Sequence, residues 1–285
     1  MWSLKLIELL PGLPEELGLE CLARLPYSAH PVASQVCGPW RTLLESQQFY
    51  HHRKKNGHTH KVACLVQALP HKPVVSESDG PKSNDSHSYG IAVFDPVSCS
   101  WQRVDPVPKY PNGLPLFCQL ASCEGKLVAM GGWDPVSYDP VTDVFVYDFT
   151  NSQWRKGNDM PSKRSFFAIG SYSGRVYVAG GHDENKNALK SAWSGARRVS
   201  GVVIGDEFWV VSGYGTESQG VFEGGAEALE FGSGRWRRVD GAWEVGQCPR
   251  QCVGVGRDGK LTSWSELDSA VRVGTCGVTV GGGPW

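Results

Sequence analysis

The chain has 285 residues, with 28 lysines and arginines against 29 aspartates and glutamates, a formal net charge of −1. That balance excludes broad electrostatic capture of nucleic acid or of an anionic membrane surface, both of which need a basic face. A 40% hydrophobic and 20% charged composition excludes global disorder. The 35 glycines, 18 prolines and 11 tryptophans, beside only 3 methionines, point to short strands and tight turns around large aromatic anchors.

At the N-terminus the apolar run Leu4–Leu10 is broken by Lys5 and Glu8 and followed by Pro11. It lacks the continuous apolar centre of a signal peptide, and no stretch reaches the roughly 18 apolar residues of a membrane span. Residues 8–50 carry the clearest helical pattern. Pro14 stands where a first helical turn tolerates proline, and Glu15 and Glu16 suit the positive end of a helix dipole. Leu17, Cys21, Leu22 and Leu25 recur at helical spacing, and Pro26 closes the helix. A second stripe runs Val32, Val36, Trp40, Leu43 and Leu44. The polar stretch His51–Lys61 reads as an exit linker.

Three segments, Leu13-Pro14-Glu15-Glu16-Leu17, Cys21-Leu22-Ala23-Arg24-Leu25-Pro26, and Val36-Cys37 with Trp40-Arg41, resemble an F-box in order and spacing. The resemblance implies docking on the Skp-type adaptor of a cullin-RING ubiquitin ligase, and through it on cullin. It makes Leu13, Pro14, Leu17, Leu22, Leu25, Pro26, Val36 and Trp40 the adaptor-binding residues. Gly38-Pro39 departs from the pattern, standing where the family carries helix-forming residues. An interior proline costs about 3 kcal/mol, so a helix restart at Pro39, which would re-aim Trp40, is expected.

His51, His52, His58, His60 and His71 lie in polar sequence near no acidic or thiolate partner except Cys64, and read as solvated rather than as a metal site. Ser76–Ser88 reads as a mobile loop. Repeats follow. Leu127–Met130 leads to Gly131-Gly132, and Val176–Ala179 leads to Gly180-Gly181 after an offset of 49 residues. Phe208–Val211 leads to Ser212-Gly213. Each copy is preceded by a turn: Glu124-Gly125-Lys126, Ser173-Gly174-Arg175 and Gly205-Asp206-Glu207. Val255–Leu261 reads as a fourth, decayed copy. A second submotif alternates with the first. Phe94 and Trp101, like Tyr147 and Trp154, are seven residues apart, and Leu229-Glu230-Phe231 with Trp236 reads as a compressed version.

Glycine pair, aromatic residue and tryptophan at a period near fifty resemble kelch repeats, one per four-stranded propeller blade. Gly131, Gly132, Gly180, Gly181 and Gly213 would allow positive φ and close backbone approach. Tyr147, Trp154 and Trp236 would pack between neighbouring sheets. The expected fold is mainly β, a kelch-type propeller of about four to five blades over residues 62–285. A small α-helical F-box over 8–50 and a linker over 51–61 precede it. The third glycine pair arrives only 32 residues after the second. Only Ala192-Trp193 stands in Asp183–Arg198 where an aromatic hairpin is due, so that blade is expected to be shortened.

Nine cysteines, with no Cys-x-x-Cys pair, form neither a zinc nor a disulfide framework and read as reduced thiols in an intracellular protein. The chain carries no nucleophile elbow, phosphate loop or zinc-protease motif. A copper-type propeller oxidase would need converging Tyr, His and Cys ligands, and His182 is the only histidine after His87. No catalytic residue, metal or cofactor is therefore expected. His30-Pro31-Val32-Ala33, Gly180-Gly181-His182-Asp183, Lys186-Asn187-Ala188-Leu189 and the run 212–220 resemble the plant kelch F-box group. That resemblance implies a non-enzymatic substrate receptor of an SCF-type ligase, cytoplasmic or nuclear, which presents its target for ubiquitination and proteasomal degradation. It implies phenylalanine ammonia-lyase, the entry enzyme of phenylpropanoid metabolism, as target, with cytokinin response regulators as another. The alternative is a kelch scaffold with a non-functional F-box, of which Gly38-Pro39 would be the mark.

Overall fold

The computed structural model describes residues 9–69, 88–189, 200–211, 225–240, 253–255 and 261–263. Pro14, at φ −52° and ψ 146°, occupies the cap position of α1 (Glu15–Ala23), whose first turn holds Glu15 and Glu16. A 3-10 turn (Tyr27–Ala29), α2 (His30–Ala33), α3 (Gly38–Leu44) and α4 (Gln47–Lys55) follow. The second apolar stripe is thus divided between two helices. Cys37 is extended, so α3 begins at Gly38 and Pro39 falls in its first turn, one residue deeper than expected. There the missing N–H would have had no helical partner in any case.

Ser46 caps α4, its Oγ accepting from the Phe49 amide at 3.2 Å. The helix runs on to Lys55, so residues 51–55 of the stretch read as linker are helical. The reason is Arg53, which is buried and donates to the carbonyls of Ala23 (2.9 Å), Leu25 (2.7 Å) and His58 (2.8 Å). One guanidinium thereby satisfies carbonyls that the end of α1 leaves open. Leu22, Ala23, Ala33, Leu43, Leu44 and Phe49 form the helical core.

Five sheets follow among the described residues, each with strands in sequence order. They are β1 (Ala63–Ala68), β2 (Tyr89–Asp95) and β3 (Ser100–Arg103); β4 (Gln119–Cys123), β5 (Lys126–Met130), β6 (Val144–Asp148) and β7 (Gln153–Lys156); β8 (Ala168–Tyr172) and β9 (Arg175–Ala179); β10 (Ser200–Ile204), β11 (Glu207–Val211), β12 (Ala226–Glu230) and β13 (Arg235–Val239); and β14 (Val253–Val255) with β15 (Leu261–Ser263). The seven-residue gap makes aromatic and tryptophan cross-strand partners: Phe94 opposite Trp101 and Tyr147 opposite Trp154, with ring centroids 5.0 and 5.1 Å apart. The third copy is not compressed. Leu229 is the residue opposite Trp236, and Phe231 sits in the turn, stacked on Tyr172 at 4.1 Å.

The decayed fourth copy is an antiparallel strand pair, β14 with β15. Among the described residues the third sheet has two strands, β8 and β9, extended by single bridges from Ser165 to His182 and His182 to Ala188. Gly213, Ala192, Trp193 and residues 76–87 lie outside the described residues.

The chain divides into two compact units. The first comprises Met1–Leu114, Glu124–Val128 and Phe145–Gly157. The second comprises Pro115–Cys123, Ala129–Val144 and Asn158–Trp285. In the second, Ala168, Ala179, Phe208 and Val210 form a core against which Tyr177, Phe231 and Trp236 pack. Its glycine pairs hold a strict register. Gly132 (φ 92°) and Gly181 (φ 84°) are equivalent, and a Cβ there would lie 2.5 Å from the Leu116 carbonyl oxygen and 2.6 Å from that of Ser165. Only glycine meets both the sign of φ and the closeness of the backbone.

Candidate functional site

In the helical part of the first unit, Leu17 on α1 and Val32 on α2 are 53 and 71% exposed, and Leu13 before α1 and Val36 after α2 are 40 and 62% exposed. Pro14 and Pro26 are also exposed. Leu22 is buried at 2%, and Leu25 and Trp40 pack against the same core. The Trp40 indole N–H donates to the Leu9 carbonyl at 2.7 Å. The eight residues singled out by sequence thus part into an exposed set (Leu13, Pro14, Leu17, Pro26, Val36) and a packed set (Leu22, Leu25, Trp40). Val32 joins the exposed set. In the four-residue α2 the core is taken by His30 and Ala33, so Val32 faces outward, which a stripe read as one helix does not reveal.

Beneath this surface, burial and then the Arg53 charge push the His30 imidazole down to about 4. The helices are tied to the strands of their own unit. Asn151 Nδ2 donates to Glu45 Oε1 at 3.0 Å, and Gln47 Nε2 to Glu124 Oε2 at 2.6 Å. The Tyr27 and Phe149 rings meet edge-on at 6.1 Å. Tyr50 covers the turn at Gly125, where a Cβ would lie 2.6 Å from its ring. These contacts fix the direction in which the exposed apolar residues face relative to the first unit's strands.

The second unit holds a cluster of four rings, of which the sequence reading names His182 alone. Phe117 and Phe166 lie 4.4 Å apart, and Trp133 meets them edge-on at 5.3 and 5.8 Å. His182 stacks on Phe166 at 5.2 Å. The Trp133 indole N–H donates to Ser165 Oγ at 2.8 Å, which lies 3.3 Å from His182 Nε2. Extending the glycine register one residue would have found half of this cluster, since Trp133 and His182 directly follow Gly132 and Gly181. Burial raises the thiols of Cys64 and Cys118 to about 11 and about 12, so neither is a nucleophile near neutral pH.

Residues 10–52 match the F-box domain and residues 116–161 the Kelch motif. The chain is 39% identical to "F-box/kelch-repeat protein At2g44130" of Arabidopsis thaliana over 83% of its own length and 66% of the relative's. It is 34% identical to "F-box/kelch-repeat protein SKIP20" of the same plant, over 83 and 67%. It is 39% identical to "F-box/kelch-repeat protein At1g15670", also of Arabidopsis thaliana, over 81 and 69%. The chain therefore spans about two thirds of the length of these relatives. A solved structure titled "Structure of YjhT" is similar at a TM-score of 0.48 and 18% identity, over 67% of this chain and 72% of that one.

Proposed function

Because the chain belongs to the F-box/kelch-repeat family, we propose that it is a substrate-recognition subunit of an SCF-type ubiquitin ligase. The helices dock on the Skp-type adaptor, and through it on cullin, while the kelch repeats hold a protein target. The subunit breaks and makes no bonds. It raises the effective concentration of the target near the ubiquitin-loaded enzyme.

The observation that carries this reading is the apolar set Leu13, Leu17, Val32 and Val36, exposed on α1, α2 and the segments flanking them while the helical core closes without them. Four large apolar side chains left exposed on so small a module are what a protein-binding surface would use. Leu22, Leu25 and Trp40 support that surface from beneath, and Leu13, Pro14, Leu17 and Val36 meet the adaptor. The rival scaffold reading draws on Gly38-Pro39, and a proline in the first turn of α3 weakens that support.

The target is phenylalanine ammonia-lyase, which the resemblance of 30–33, 180–189 and 212–220 to the plant group supports, and the protein works in the cytoplasm or nucleus. Affinity purification of the tagged full-length chain from plant cells, with mass spectrometry, tests both levels. Adaptor, cullin and the lyase together support the whole reading. Adaptor and cullin without the lyase leave the receptor and remove the target, and absence of the adaptor removes the receptor.

A further inference from the structure

Phe117 and Phe166 are 49 residues apart, and both take positive φ, 60° and 54°. Bulky L residues rarely adopt that conformation, and glycine would take it freely. Full burial does not account for the choice at Phe117, whose surface is 49% exposed although its ring packs on Phe166 and Trp133. Residues held in sparsely populated backbone regions cluster at ligand-binding and switch sites. Both rings belong to the cluster that Trp133 completes, and the loop beside it exposes Val136 and Tyr138 at 86 and 51%.

The rim of this cluster is acidic. Asp134 Oδ1 accepts from the amides of Val136 and Ser137, and Asp183 Oδ1 from those of Asn185 and Asn187, so the two loops hold these carboxylates in place. With Asp139 and Glu184 they make four negative charges against Lys163, Lys186 and the buried Arg164, which donates to the Gly180 carbonyl. One of the two lysines is already committed, Lys163 Nζ lying 2.9 Å from Glu184 Oε2.

We propose that this loop end of the second unit docks a short linear segment of a partner protein in which a lysine or arginine adjoins a large apolar side chain. The apolar group rests on Phe117, Phe166 and Trp133. The cation lies against an aromatic face and toward the Asp139 side of the rim, where ring quadrupole and carboxylate both favour it. The inference rests on the receptor reading for its biological use and names the chemistry of the segment that receptor reads.

The test is selection of a random peptide library on the immobilised full chain, without adaptor. The expected consensus places Lys or Arg next to Phe, Trp, Leu or Ile. A synthetic peptide of that consensus should bind about tenfold more weakly to Phe117→Gly, as for loss of a buried aromatic anchor, and more weakly to Asp139→Lys. Phe117→Gly relieves the backbone and should keep a cooperative melt. Should it not fold, Asp139→Lys at the exposed loop alone reads the loss. An acidic consensus, no consensus, or binding indifferent to these variants overturns the inference. So does self-association that depends on Phe117 in place of peptide binding. An inert helical surface would leave the selection unchanged, so failure of adaptor docking is told apart from failure here.

Discussion

Arg53 Nη1 lies 2.8 Å from His30 Nε2, and because a guanidinium can only donate, the imidazole nitrogen must accept. His30 is therefore neutral, its remaining proton on Nδ1. Arg53 also holds three backbone carbonyls, so α1, α2 and α4 meet at one side chain.

A pH dependence follows. The folded His30 titrates at about 4 against an ordinary 6.5, because burial and then Arg53 disfavour its charge. The unfolded chain therefore takes up the proton first. Stability is full above the unfolded value and is lost as pH falls from there toward the folded value. Between about pH 7 and about pH 5 the loss is roughly 2 kcal/mol. Denaturant melts of the helical signal in wild type and His30→Gln check this, with a flatter pH profile expected for the variant.

The glycine register makes a second prediction. Gly132→Ala and Gly181→Ala combine positive φ with a Cβ against a backbone oxygen. Each should destabilise by about 2 kcal/mol or more. Gly57 also has positive φ, 72°, but nothing lies within 4 Å of its added Cβ. Gly57→Ala should therefore cost only about 1 kcal/mol. Thermal melts of the three variants decide whether closeness or φ dominates.

Pro39 in the first turn of α3 should be dispensable. Pro39→Ala is expected to change stability by less than about 0.5 kcal/mol and to leave adaptor binding unchanged, since no interior hydrogen bond is lost. A gain in adaptor affinity would show that the proline does distort the helix.

Strand β9 pairs with β8 alone among the described residues, and Val176, Tyr177 and Val178 are half-buried. In β5, Leu127–Met130 are all buried within a four-stranded sheet. Hydrogen exchange at 176–178 should outpace that at 127–129, because opening free energy follows local burial. Equal protection would mean that the short sheet is as well supported as its neighbours.

Much of this was legible in the sequence because it recurs. The glycine pairs and the aromatic–tryptophan gap repeat at fixed offsets, and repetition separates a constraint from chance. Three features escaped for physical reasons. Leu229 opposite Trp236 is aliphatic, so a search for an aromatic partner settled on Phe231 in the turn. The helical extent of 51–55 escaped because its anchor is a single buried Arg53, which composition cannot tell from a solvated one. The ring cluster lay one residue past the glycine pairs and just before the inner strands. Trp133 and His182 differ between copies, which hides the position they share, and Phe117 and Phe166 recur outside the glycine and tryptophan submotifs.

The central claim, that the exposed apolar residues of the helical module dock a Skp-type adaptor, is tested most directly by titrating purified adaptor into the purified full-length chain and its Leu17→Glu variant. Leu17 is 53% exposed, so the variant should melt like wild type. The account predicts binding by the wild type and a loss of about tenfold or more in the variant, as for a charge placed in an apolar contact. Equal affinity in the two proteins, or no binding by the wild type, would contradict it.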